Sequence, residues 1–151
     1  YISIYLFMNL AFFSCLFMLR RDENYFENIE DLSGLSKSHP LLSFSFLIVL
    51  FSLAGIPPLA GFFAKFYIFS ALIEESMYFL AIVGLLSTVI AAFYYLRLIK
   101  IIYFDTEKDK YETNHNIGLK LSLFISSVFI LFYFIYPSWL TEIIEKINII
   151  Q

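Results

Sequence analysis

From Pro40 to Ile73 the chain runs 34 residues with one charged side chain, Lys65, and one pair of adjacent prolines, Pro57 and Pro58. As a straight helix at ~1.5 Å per residue this run would reach ~51 Å, far beyond a hydrocarbon core of ~30 Å. Each half alone is short for a full crossing. The stretch GIPPLAGFFAKFY, Gly55 to Tyr67, lies at its middle. Such a run is either one broken pass through a membrane or two short ones.

Three further apolar segments surround it: Tyr1–Leu19, Met77–Phe104 and Ile117–Tyr136. The whole chain is 60% hydrophobic and 15% charged, with a mean hydropathy of +0.79. Soluble domains carry roughly 25% charged residues, so the composition points to a membrane. Nucleic-acid binding is excluded as a reading, because no basic patch with interleaved aromatics lies outside the apolar spans. The single cysteine, Cys15, sits in an apolar run and reads as a small buried hydrophobe, with neither a disulfide nor a metal cluster available to it. The start, YISIYLFMNL, has no basic region before its apolar run, unlike a secretory signal. A fragment, a processed chain and the product of a split gene all remain open.

Orientation decides between one pass and two. With Pro40–Ile73 crossing once, Arg20, Arg21, Lys37, Arg97, Lys100, Lys108, Lys110 and Lys120 share a side, and Lys146 alone faces the other. Crossing twice splits them five against four. Short loops rich in Lys and Arg stay inside, so the single broken pass is expected. The fold class is therefore all-α integral membrane, with four transmembrane segments over residues 1–136, the second discontinuous. Basic loops 20–39 and 97–116 face the matrix or cytoplasm, and 74–76 and the C-terminus face the opposite side. Residues 137–151 read as an interfacial amphipathic tail: Leu140, Ile143, Ile144 and Ile147 form one stripe, Pro137-Ser138 a start signal, and Trp139 a headgroup anchor.

Proline lacks an N–H and clashes with the preceding turn, so Pro57-Pro58 interrupts the helix. Gly55 suits the end of one helix and the prolines the first turn of the next. Backbone groups freed at membrane depth face protein or a water-filled cavity, not lipid. Lys65 lies about two turns further on. An ammonium there costs about 2.5–3.5 kcal/mol on insertion scales, which makes it a functional candidate. Burial disfavours its charge and a partner carboxylate would restore it, so a lysine between these influences can load and release a proton. Glu74 and Glu75 are out of reach, ~14 Å along a helix. Gly61, one turn before Lys65, is expected to leave room for water or another side chain. Snorkelling toward an interface and a static ion pair remain the rival readings of Lys65.

The third segment carries small residues at Ala81, Gly84, Thr88 and Ala91, which read first as a helix-packing face. The alternative is a polar lining for water from Ser87, Thr88, Tyr94 and Tyr95. His39, before Pro40, reads as a capping or interfacial residue, His115 as solvated, and Arg97 and Lys100 as anchors.

The segments HPLLSFSFLIVLFSLAGIPPLAGFFAKFYIFSALIE and YYLRLIKIIYFD together carry a family resemblance. They resemble the C-terminal part of the subunit 2 type among the antiporter-like membrane subunits of respiratory complex I, the proton-pumping NADH:quinone oxidoreductase. The likeness is densest over Ser36–Asp105; the outer segments fit by hydropathy and order. The resemblance implies a bacterial form of fourteen helices in two inverted five-helix repeats, with helices seven and twelve discontinuous. This chain would then supply helices eleven to fourteen. Lys65 would be the lysine of broken helix twelve, where the subunit 4 type carries a glutamate. The family's glutamate on helix five and its lysines on helices seven and eight have no counterpart here.

The resemblance further implies no cofactor in this chain, with FMN, iron–sulfur clusters and quinone held by other subunits. The expected partners are other membrane-arm subunits, a polypeptide supplying the first ten helices, and membrane lipid. The Phe- and Ile-rich composition, with 19 Phe, suits an AT-rich mitochondrial genome, so the mitochondrial inner membrane is the expected location. The function expected is proton translocation coupled to NADH:quinone electron transfer. The alternatives are a monovalent cation/proton antiporter subunit and a purely structural membrane subunit.

Overall fold

A computed structural model describes residues 1–20, 28–106, 112–113 and 116–135. The proposed tail 137–151, with His115, Lys108, Lys110, Lys146 and Arg21, lies outside the described residues. The elements are α1 (Ile2–Met18), β1 (Leu19–Arg20), a 3-10 turn (Ile29–Leu32), α2 (Leu35–Ser38), α3 (Pro40–Ala54), α4 (Ala60–Glu74), α5 (Tyr78–Phe104), β2 (Glu112–Thr113) and α6 (Ile117–Phe132), followed by a 3-10 turn (Tyr133–Ile135).

Local chemistry sets the starts. Pro40 takes the first position of α3 behind His39, where its missing N–H costs nothing. The His39 side chain does not cap the helix. At α6 the Asn116 side chain accepts from Gly118 N–H at 2.9 Å, satisfying one of the free donors of the first turn. The 3-10 turn opens with Asn28 and Asp31 in a reciprocal capping box.

Helix α1 runs antiparallel to α6. Phe7 stacks on Phe129 with centroids 4.2 Å apart, and Ser14 Oγ donates to Ser122 Oγ at 3.1 Å. It also runs antiparallel to α3, with Phe12 edge-on to Phe46 and Ser52 Oγ against the sulfur of Met8. Ile4, Met8, Ala11 and Cys15, at helical spacing, are the buried face of α1. Cys15 is fully buried, packed as a small apolar side chain.

Helix α5 is the long partner of the broken segment. Gly84 lies against Phe69 of α4, and further on Gly34 N–H, ahead of α3, donates to the Ile101 carbonyl. One 27-residue helix thus lies antiparallel to α4 and then to the approach to α3. The same end of the bundle gathers Leu19–Arg20 paired antiparallel with Glu112–Thr113, helix α2 with its flanking Gly34 and His39, and Lys100 with Asp105 at 3.4 Å. That exposed ion pair is worth at most about 1 kcal/mol. The Glu74–Glu75 turn lies at the far end.

Among the described residues one helix, Tyr78–Phe104, is long and apolar enough to cross a membrane unaided; Ile2–Met18, Pro40–Ala54 and Ile117–Phe132 are apolar but shorter. The break differs in detail from expectation. Helix α4 restarts at Ala60 with Leu59 extended before it, so Pro57-Pro58 precede the helix rather than forming its first turn. The physical reason is that a residue before proline avoids the helical region, which keeps Pro57 out of the new helix.

The packing of α5 on α4 gives a direct test. A Cβ at Gly84 would lie 2.9 Å from the Phe69 ring, so Gly84→Leu overpacks the contact and is expected to cost about 1–3 kcal/mol. The apparent melting temperature in detergent should fall, while Val83→Leu on the exposed side leaves it unchanged.

Candidate functional site

Helix α3 ends in a Schellman arrangement. Gly55 adopts φ +86°, a left-handed conformation that favours glycine, and Gly55 N–H donates to the Phe51 and Ser52 carbonyls while Ile56 N–H donates to Phe51. Those bonds satisfy the carbonyls of Phe51 and Ser52. The next two, Leu53 and Ala54, would be bonded in a continuous helix by the N–H groups four residues on. Those positions are Pro57 and Pro58, which have none.

Lys65 supplies the missing donors. Its Nζ, from the second turn of α4, donates to the Leu53 carbonyl at 2.9 Å and to the Ala54 carbonyl at 3.1 Å. The ammonium therefore sits at the C-terminal end of α3, where the helix dipole is negative. It is half-buried, and its two bonds are charge-assisted, the stronger class.

Two small residues let the chain fold back this closely. The Cβ of any residue at Gly55 would lie 3.0 Å from Lys65 Cδ and 3.2 Å from Nζ. A Cβ at Gly61 would overlap the Ser52 carbonyl oxygen. The position a Gly61 side chain would take is thus filled by the backbone of α3, while the glycine itself also borders the cavity beside Lys65. Ser52 Oγ accepts from Gly61 N–H at 3.0 Å and caps α4 from across the break, since Leu59 has no side chain able to do so.

Beside Lys65 lies a cavity of about 170 Å³. At about 30 Å³ per molecule it has room for several waters. Ser87, Thr88 and Tyr95 of α5 line it together with Gly61 and Tyr5. The hydroxyls of Ser87 and Thr88 donate to the Gly84 and Leu85 carbonyls, both at 2.7 Å, which leaves their lone pairs as acceptors. Tyr94, proposed with them, is 58% exposed and lies outside the cavity lining, stacked edge-on with Phe93.

The small-residue stripe of α5 accordingly divides. Ala81 and Gly84 pack, whereas Thr88 and Ala91 line the cavity. Glu74 and Glu75 close α4 at its far end, and neither bonds Lys65. Tyr5 of α1 and Ser52 were not singled out from sequence. Counting four residues back from each proline would have identified the Leu53 and Ala54 carbonyls as the groups in need of a donor.

The arrangement can hold one cation on two backbone oxygens beside a small cavity lined by hydroxyls. Gly61→Ala is expected to destabilise more than Ser52→Ala. The first forces backbone against backbone, while the second removes one capping bond worth about 1 kcal/mol. Comparing apparent melting temperatures of the two variants in detergent checks the order; equal losses would contradict the close approach.

The family described as NADH:quinone oxidoreductase/Mrp antiporter, TM, matches residues 1–91. NADH-quinone oxidoreductase subunit N of Pelagibacter ubique is 73% identical over 150 residues, covering 99% of this chain and 32% of its own length. The protein of the same name from Parvibaculum lavamentivorans is 48% identical over 138 residues, covering 91% of this chain and 29% of its own. Among solved structures, a chain of respiratory complex I from Thermus thermophilus with bound aureothin aligns with a TM-score of 0.71 at 26% identity, over 89% of this chain and 32% of that one. The chain spans about a third of the length of these relatives. It belongs to the transmembrane family of NADH:quinone oxidoreductase and Mrp antiporter subunits.

Proposed function

We propose that this chain is the C-terminal portion of an antiporter-like subunit of a proton-pumping NADH:quinone oxidoreductase, and that Lys65 relays the proton. The observation that carries this reading is the bonding of Lys65 Nζ to the two carbonyls the prolines leave without donors, next to a cavity able to hold water. A charge placed on a break in a membrane helix marks an ion pathway in transporters.

The chain crosses four times in this reading, with α3 and α4 as one broken pass against α5. The Arg20, Lys37, Arg97, Lys100 and Lys120 end lies inside, and the Glu74–Glu75 turn lies outside. The membrane is the energy-conserving inner membrane. The relatives compared are bacterial, so the mitochondrial location expected from composition has no support from them. Flavin, iron–sulfur clusters and quinone are assigned to other subunits, and the helices preceding this part supply the rest of the pathway.

Chemically, Lys65 alternates between two states. As an ammonium it is held at the end of α3 by the Leu53 and Ala54 oxygens and the local dipole. A charge arriving nearby, driven by quinone reduction elsewhere in the complex, disfavours the ammonium and releases a proton into the hydrated cavity lined by Ser87, Thr88 and Tyr95. The neutral amine then reloads from the inner side. A second reading, monovalent cation/proton antiport, draws on the antiporter members of the same family. Cation-dependent ΔpH in inverted vesicles, insensitive to NADH, would favour it.

Arginine separates holding a charge from passing a proton, because its guanidinium does not deprotonate in proteins. In the assembled enzyme Lys65→Arg should keep assembly while proton pumping falls to about a tenth or less, a barrier change of at least about 1.4 kcal/mol. Lys65→Ala should likewise lower pumping with assembly largely retained. Normal pumping by an assembled Lys65→Ala enzyme would overturn the relay role and leave a structural one.

A further inference from the structure

Lys65 can bridge the break only while the first turn of α4 stays against the last turn of α3, and the Ser52 side chain ties that contact. Its Oγ accepts from Gly61 N–H at 3.0 Å and donates to the sulfur of Met8 at 3.1 Å. Ser45, Ser87 and Thr88 use their hydroxyls otherwise, each donating to a carbonyl of its own helix. A thioether is a weak acceptor, yet here it takes the Ser52 proton. With the proton turned to Met8, the lone pairs of the hydroxyl are left for Gly61 N–H.

These bonds close a ring around the ammonium. Ser52 is joined to Leu53, whose carbonyl holds Nζ at 2.9 Å. Lys65 is one turn past Gly61 in α4, so its own N–H falls to the Gly61 carbonyl. Gly61 N–H then returns to Ser52. Ser52 is fully buried and Met8 nearly so, and Met8 also lines the cavity beside Lys65. Lys65 Nζ bonds neither of them; its partners are the Leu53 and Ala54 oxygens.

We propose that Ser52, oriented by the Met8 sulfur, is a positioning residue for Lys65. It sets the distance from Nζ to the Leu53 and Ala54 oxygens, and so how firmly the ammonium is held. Without the Ser52 oxygen, Gly61 N–H loses its acceptor and the first turn of α4 can move off the end of α3. A small lengthening there weakens two charge-assisted bonds at once. Helix α1, with no charged side chain of its own, thereby acts on the group that carries the proton. The proposal deepens the relay reading of Lys65 and rests on it.

The test is the acetylation rate of Lys65 in the assembled complex. Membrane vesicles are treated with acetic anhydride and the peptides read by mass spectrometry, with exposed Lys37 as internal reference. Only the neutral amine is acylated, so an ammonium held on two oxygens reacts slowly. In Ser52→Ala the Lys65 to Lys37 ratio should rise about threefold or more, the effect of one weakened hydrogen bond. Ser52→Cys and Met8→Leu nearly keep the side-chain volume and should raise the ratio in the same direction, with melting temperatures close to the parent's. Protons moved per NADH oxidised should fall in the same variants, whereas a loss of folded enzyme lowers both rates and leaves their ratio unchanged. A parental acetylation ratio in Ser52→Ala and Ser52→Cys would overturn the proposal and leave Ser52 a helix cap. A rise in those two with none in Met8→Leu would overturn the part given to the sulfur. Labelling is read without turnover, so raised labelling with an unchanged proton ratio would uphold the positioning and count against the relay.

Discussion

An ammonium shared between the carbonyl oxygens of Leu53 and Ala54 ties the two halves of the broken helix together. Proline at 57 and 58 removes the two N–H groups that would otherwise satisfy those oxygens, and Lys65 Nζ donates to both in their place. The lysine and the prolines are parts of one device. The break creates two acceptors at the negative end of a helix dipole, and the charge is tolerated because the acceptors are there. Each element alone would be costly in an apolar environment.

The surrounding residues follow from that requirement. Nζ can reach back two turns only if α4 starts close against the end of α3. Gly61 permits this by presenting no Cβ to the Ser52 carbonyl, and Gly55 by turning through the left-handed region beside the lysine stem. Ser52 then caps α4 from the other side of the break. Helix α5 has no proline and backs both halves, seating Phe69 at Gly84 and presenting Ser87, Thr88 and Tyr95 to the cavity. The outcome is a cation on fixed backbone oxygens with a small hydroxyl-lined cavity alongside.

Much of this was legible in the sequence. The four apolar runs, the break at Gly55–Pro58 and the exceptional position of Lys65 all came from hydropathy, proline chemistry and the cost of a buried charge. The restart was misplaced by two to three residues, because the restriction on a residue preceding proline outweighs proline's preference for a first turn. The partner of Lys65 was sought among carboxylates, although the backbone supplied it. Gly61 both borders the cavity and meets the Ser52 backbone, and a sequence does not tell which of the two the missing side chain would face. Tyr94 and Tyr95 are adjacent, so a helix points them about 100° apart, and only Tyr95 faces the cavity.

The chain belongs to the transmembrane family of NADH:quinone oxidoreductase and Mrp antiporter subunits, and in the function proposed above Lys65, at the helix break, is the group that changes charge. The pairing of Lys65 with the proline-freed carbonyls is tested most directly by a double-mutant cycle in the assembled complex, between Lys65→Met and the joint replacement Pro57→Ala/Pro58→Ala. Thermal stability is the quantity measured. Restored N–H groups should serve the carbonyls that Lys65→Met abandons, so the combined variant should lose less than the sum of the separate losses, by about 1–3 kcal/mol. Additivity within about 0.5 kcal/mol would contradict the account, because the lysine and the prolines would then act independently.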